Sequence, residues 1–189
     1  FGVATINDGV LKHPGNDGME EMANRLWTAL NPLVKPKTET VLKAYTFDSS
    51  NEGWSGNNAT PTVEDGCLKI TTSNSGFTFW SSSTYLANVD VTKLTHIRIR
   101  MKTTTTAENP VIKVMWLVCD DGSEQAARNV PITMGSDGWA DILIDCTAFN
   151  WGSAKTVSRI GFQAHNGSGE ETISIDTVQF LKKAGSEPE

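Results

Sequence analysis

A chain of 189 residues, 38% apolar and 20% charged, has a globular composition and is long enough for one ordinary domain plus a small appendage. Its 22 acidic residues against 16 basic ones give a net charge of -6 with no basic run, which argues against a nucleic-acid surface. No apolar run approaches the roughly 18 residues that a membrane span needs, so a membrane partner is not expected either.

The chain starts at Phe1, with neither Met nor a charged-then-apolar leader, and this reads as a processed or truncated start. Between residues 14 and 31 the apolar positions Met19, Met22, Ala23, Leu26, Trp27 and Leu30 recur at helical spacing. Asp17 can cap that helix, Glu20 completes a capping-box-like pair, and Pro32 stops it. The Pro- and Lys-rich stretch that follows reads as a stiff linker. These signals divide the chain into 1–34 with one helix, a linker at 35–43, a β domain at 44–183 and a polar tail at 184–189.

From Tyr45 onward the helical period is absent. Strand candidates are 43–48, 67–72, 77–83, 94–103, 111–119, 126–133, 139–146, 157–165 and 172–182, separated by Gly, Asn, Asp and Pro clusters. That many short strands in about 140 residues predict an all-β fold, an antiparallel β-sandwich of jelly-roll type with a short N-terminal helical extension, rather than βαβ units. The run 111–119 is apolar on one face and nearly so on the other, as a central strand would be. Counting by twos puts Ile112, Val114 and Trp116 on the core side and Lys113, Met115 and Leu117 on the other.

The same count sends Phe77 and Phe79 inward and Trp80 outward. It sends Ile160, Phe162 and Ala164 inward and Arg159, Gln163 and His165 outward, with Gly161 leaving a shallow place between them. If those strands neighbour 111–119, one sheet face shows Trp80, Arg159, Gln163, His165 and Met115. An indole can stack on the apolar C–H face of a pyranose while planar donors and acceptors reach its hydroxyls. The competing reading packs Trp80 under a loop or against the N-terminal helix. Trp54, Trp139 and Trp151 sit beside Gly in turn-like contexts and either cap the core or line a cleft.

Asp48 ends the first predicted strand, and Asp176 interrupts the apolar alternation of the last. With Glu52 and backbone carbonyls they could supply hard oxygens to a structural Ca²⁺, or they are solvated turn acids. Cys67, Cys119 and Cys146 lack metal-ligand spacing and are either buried thiols or one disulfide with a thiol left over. There is no phosphate-binding Gly loop and no Gly-x-Ser-x-Gly turn.

Taken in order, several short pieces resemble the jelly-roll carbohydrate-binding modules attached to secreted polysaccharide-degrading enzymes. They are Tyr45-Thr-Phe-Asp48 with Gly53-Trp54, Val63-Glu-Asp-Gly-Cys-Leu-Lys-Ile70, Ile97-Arg-Ile-Arg-Met-Lys102, Asp137-Gly-Trp139, Trp151-Gly152 through Arg159-Ile-Gly-Phe162, and Ile175-Asp-Thr-Val178. The resemblance covers nearly three quarters of the chain. It implies two curved sheets, a glycan on a concave face or at loop tips, and a structural Ca²⁺ near the first and last strands with Asp48 and Asp176 as ligands. It also implies a secreted protein in which a catalytic domain is covalently linked to the module. A shorter run, Asp8 to Met19 followed by the helix, is similar to the last block of SGNH/GDSL-type esterases, in which His13 would be the general base and a nearby Asp would orient it. Val10 stands where that family places its Asp, and Asp8 lies five residues before His13. The rest of such a domain is absent, so residues 1–34 read as an inert remnant.

The expected function is therefore a non-catalytic module that holds an enzyme on plant cell-wall polysaccharide, β-glucan or xylan, using Trp80, Arg159, Gln163, His165, Met115, Trp54 and Trp151. The alternatives are a fragment of an acetyl-esterase or glycoside hydrolase, the latter with a carboxylate pair such as Asp141 and Asp145, and a structural sandwich with no sugar site.

Overall fold

The computed structural model describes residues 16–30, 39–57, 60–72, 78–83, 87–163 and 171–183. The chain divides into two compact units, 1–38 and 39–189. The described part of the first unit is one helix, α1 (Asn16–Leu30), whose Met19, Met22 and Leu26 are exposed. An ion pair between Glu21 and Arg25, one turn apart, supports its polar face.

The second unit is an antiparallel β-sandwich of twelve described strands: β1 (Thr40–Tyr45), β2 (Ser55–Asn57), β3 (Thr62–Glu64), β4 (Cys67–Thr72), β5 (Thr78–Trp80), β6 (Val89–Asp90), β7 (His96–Thr103), β8 (Val111–Cys119), β9 (Glu124–Pro131), β10 (Ala140–Asp145), β11 (Thr156–Gln163) and β12 (Glu171–Lys182). The first sheet runs β10-β7-β12-β4-β3 and the second runs β2-β5-β11-β8-β9. In each sheet one long strand serves two short partners along a single edge. β12 pairs with β4 through residues 171–175 and with β1 through residues 178–182. β11 pairs with β6 at Thr156 and Val157 and with β5 at 161–163.

Local chemistry explains the hairpins and the partner changes. Strands β3 and β4 are joined by Asp65-Gly66, both with positive φ (54° and 71°), the conformation of a two-residue turn whose twist matches the strands. The strand starting at Thr40 absorbs four residues that the sequence assigns to the linker, because its backbone completes the outer half of β12.

Alternation alone does not describe the interior. Ile175 and Val178 are both in the core although three residues apart, and the register against β7 shifts between Ile175 and Thr177, making Asp176 a bulge residue. Val157 and Ile160 repeat this across a shift between Val157 and Arg159. Ile112 and Met115 repeat it on β8, where Lys113 and its opposite number Asn129 fall between the paired rows, and Asn129 has a φ of 52°. The inner faces close on an aromatic cluster in which Trp54 lies parallel to Phe162 (5.9 Å, 8°) and edge-on to Tyr45 (5.3 Å, 89°).

Candidate functional site

The outer face of the second sheet can be read row by row from its register. One row crosses Ser55, Trp80, Gly161, Trp116 and Ala126. The next crosses Asn57, Thr78, Gln163, Val114 and Arg128. On the other side of the Trp row stand Arg159, Val118 and Glu124. Ile160, Phe162, Met115 and Leu117, which alternate with these positions, belong to the core.

Gly161 stands between the two indoles, and the absence of a side chain there is what lets them meet. A Cβ at that position would come within 2.2 Å of Trp80 Cε3, so the indole of Trp80 lies against the bare backbone of β11. The rings of Trp80 and Trp116 have centroids 5.5 Å apart and planes 20° apart. Both are half-buried, and they stack on one another, so each ring covers part of one face of the other. The Arg159 guanidinium carbon lies 5.2 Å from the Trp80 ring centroid, and its Nε donates to the Ser81 carbonyl at 3.4 Å. Ser81 is itself buried, its hydroxyl accepting from the Ile160 amide at 3.0 Å, so the end of β5 is fixed to β11 beneath Arg159. The face thus carries an apolar stack of two indoles with amide, hydroxyl and guanidinium groups around it, and its outer part can take a ring whose polar groups lie at its rim.

Several sequence expectations are corrected here. Met115 is fully buried in the core and cannot contact a ligand, whereas Trp116, expected inside, is the second indole of the face. The reason is the break at Lys113 and Asn129. Counting by twos from Ile112 through that break assigns every later residue of β8 to the wrong side. Trp54 is also inside, 2% exposed, because the turn before β2 directs its ring into the aromatic cluster. The shallow place expected over Gly161 is covered by the indole of Trp80.

Trp151 is half-buried against the core, edge-on to Phe149 at 5.6 Å, and no ring contact joins it to the indole pair. Trp139 is half-buried beneath Lys102 (4.6 Å) and Arg100 (5.3 Å) of the first sheet. Arg159 and Gln163 lie where alternation puts them. His165, Asp8 and His13 fall outside the described residues. The positions that sequence reasoning missed are Trp116, Arg128, Ser55 and Asn57. The one usable signal for the first two was Asn129, a residue tolerant of the left-handed conformation in mid-strand.

The carboxylates expected to bind calcium each have partners within the protein. Asp176, the bulge residue of β12, points to Arg100 Nε at 3.7 Å. Glu52 Oε1 accepts from the amides of Thr46 (2.7 Å) and Phe47 (2.9 Å), and Asp48 Oδ2 accepts from the Thr46 hydroxyl at 2.7 Å. Among the described residues no three His, Cys, Asp or Glu side chains come together as a group that could hold a metal ion. A surface depression of about 490 Å³ lies at the end of the β8–β9 pair, lined by Glu108, Pro110, Val111, Pro131, Ile132 and Met134 among others. It has no aromatic wall, and it is not where the indoles stand.

No protein-family model matches the chain, and no curated protein matches it. Solved structures do resemble it. A mutant of the family 29 carbohydrate-binding module CBM29-2, complexed with cellulohexaose, aligns over 77% of this chain and 92% of its own, with a TM-score of 0.50 and 15% identity. An agarase aligns over 80% of this chain and 25% of its own, with a TM-score of 0.53 and 11% identity. At such identities the likeness shows the fold: an antiparallel sandwich with carbohydrate-binding modules among its structural neighbours.

Proposed function

We propose that the chain is a non-catalytic carbohydrate-binding module. Its Trp80–Trp116 plate stacks on pyranose rings of a plant cell-wall polysaccharide, β-glucan or xylan, and so holds a covalently linked enzyme domain of a secreted protein on its substrate. The observation that carries this reading is the pair of near-parallel indoles, 5.5 Å between centroids, kept on an open sheet face by a glycine. An outward indole pair exposes apolar area that a ligand would cover. Covering about half of each ring, on the order of 100 Å², is worth about 2.5 kcal/mol per indole at about 25 cal/mol per Å². Ordering of the glycan and loss of its motion offset part of that sum. A dissociation constant on the order of 10–100 μM, about 5.5 to 7 kcal/mol, therefore needs hydrogen bonds at the rim in addition to the two indoles. Ser55, Asn57, Thr78 and Gln163 supply hydrogen bonds to hydroxyls. The likeness to a module complexed with cellulohexaose supports a β-linked glycan. The similarity of Asp8 to Met19 to the end of an SGNH-type esterase makes a carbohydrate esterase the linked domain in this reading.

The enzymatic alternative finds little support. Asp141 and Asp145 lie four residues apart on one strand, so their Cα atoms are about 13 Å apart, beyond the separations at which glycosidase carboxylates cooperate. Asp141 is bound to Arg100 at 2.8 Å, and hydrogen bonds from Thr147 hold Asp145 below the usual carboxylate range.

Affinity electrophoresis through gels containing soluble β-glucans and xylans tests the proposal. The chain should be retarded by at least one of them, and Trp80→Ala and Trp116→Ala should each abolish the retardation. Retardation that survives both substitutions moves the site elsewhere, and none on any gel leaves a structural sandwich. Hydrolysis of an acetylated chromogenic substrate would refute the non-catalytic reading.

A further inference from the structure

The chain has five arginines, and they fall into two classes. Arg25, Arg98 and Arg100 are each bound to a carboxylate, of Glu21, of Glu39 and of both Asp137 and Asp141. Arg128 and Arg159 have no carboxylate partner among the described residues, although acids outnumber bases 22 to 16 in this chain. Both stand on the outer face of the second sheet, one on either side of the Trp80–Trp116 row. Among the described residues Arg159 has one long bond to the Ser81 carbonyl and an indole beneath it, which leaves most of its five donors unclaimed by them.

Resting on the reading of this face as a glycan plate, we propose that the polysaccharide it takes carries anionic groups, which Arg128 and Arg159 receive. A neutral glycan needs only amides and hydroxyls, which the face already has in Gln163, Asn57, Thr78 and Ser55. A guanidinium presents two parallel N–H groups to a pair of anionic oxygens, as in a uronate carboxylate or a sulfate ester. The two arginines lie two strands and four residues apart, a diagonal of about 16 Å between Cα atoms. A chain lying across the indoles would meet them at separate sugars, so the charges are spaced along the polymer. The other charged groups on this face do not cancel them. Glu124 is exposed in the row of Arg159 but two strands away on β9, and Asp90, at the far end of β11, is tied to Lys93 and Thr92.

Affinity electrophoresis with ligands that differ only in charge tests this. Glucuronoxylan is compared with the same xylan after carboxyl reduction, and cellulose sulfate with hydroxyethylcellulose. The acidic member of at least one pair should be retained roughly tenfold more strongly, and which pair responds identifies carboxylate or sulfate as the group bound. That ratio should collapse in about 1 M salt, where the Debye length is about 3 Å. It should also collapse in Arg128→Gln and in the Arg128→Gln/Arg159→Gln double variant. Equal retention of acidic and neutral members, with no response to salt or to Arg128→Gln, overturns the anionic assignment and leaves the indole plate standing. Retention of neither member of any pair removes the plate itself, and this proposal with it.

Discussion

An indole laid on a glycine is a narrow fit, and Gly161 is where the site is most easily broken without breaking the fold. A methyl at that position meets Trp80 Cε3, Cδ2 and Cζ3 at 2.2, 2.4 and 2.5 Å. All three are atoms of a side chain that can rotate, so β11 keeps its place and the indole lifts off. Gly161→Ala should therefore cost about 1–3 kcal/mol, as overpacking does, while glycan retention falls as far as it does in Trp80→Ala. The far-ultraviolet exciton couplet expected of the close Trp80–Trp116 pair should vanish together with retention. A variant that keeps the couplet and the retention would show that Trp80 does not depend on the bare backbone beneath it. At this scale the sequence is informative where strands alternate cleanly. Trp80, Arg159 and Gln163 face outward because Phe79, Ile160 and Phe162 face inward. It is uninformative at Trp54, since a Gly-Trp-Ser turn does not say which way its indole swings, and burial against the rings of Tyr45, Phe47, Phe79 and Phe162 is a tertiary fact.

The elements themselves were largely legible, and the losses have one cause. Every strand of six or more residues overlaps a strand candidate read from the sequence, while β2, β3 and β6, two or three residues long, are too short to show a period. The errors on long strands arise where alternation breaks. Breaks at Lys113, Ser158 and Asp176 each place core residues three apart instead of two, and a further register shift interrupts β1 between Val41 and Lys43. The break at Asp176 explains why an acid interrupts β12: a bulge residue leaves the ladder and turns to Arg100. The break at Lys113 places Trp116, and its partner strand carries the telling residue. Asn129 sits at φ 52°, which asparagine and glycine tolerate and a β-branched residue does not. Asn129→Gly should leave the melting temperature nearly unchanged, whereas Asn129→Val should cost about 1–2 kcal/mol and weaken glycan retention by reorienting Trp116. Equal melting temperatures for the two variants would mean that the break does not rest on this residue.

Over the whole molecule the stabilising parts are an apolar interior and a set of exposed turn carboxylates, and they respond differently to pH. Cys67, Cys119 and Cys146 are free and buried, and burial pushes the Cys146 thiol up to about 12, so they do not titrate in the acid range. The carboxylates do. Hydrogen bonds from the Ser123 and Ser153 hydroxyls and the Ser123 amide hold Asp121 down at about 2. Asp90, Asp120 and Asp145 are lowered by hydroxyl and amide donors of the same kind, Asp137 first by the Arg100 guanidinium, and Glu64 by Lys69. A carboxyl whose folded value lies below its ordinary one adds stability above the ordinary value and loses it as pH falls toward the folded value. For Asp121 that window runs from about 4 down to about 2. The melting temperature should therefore be nearly level from pH 7 to 5 and should fall steeply between 4 and 2. Asp121→Asn, which cannot titrate, should start lower at neutral pH and fall less steeply in that window. The pattern Asp-x-Ser/Thr at residues 90, 121 and 145 announces these turns in the sequence. The bond from Ser153 to Asp121, across 32 residues, does not appear there, and it joins the β8–β9 turn to the loop before β11. Ser153→Ala should then reproduce part of the Asp121→Asn effect, and parallel acid profiles for Ser153→Ala and the unaltered chain would show that this cross-link contributes nothing.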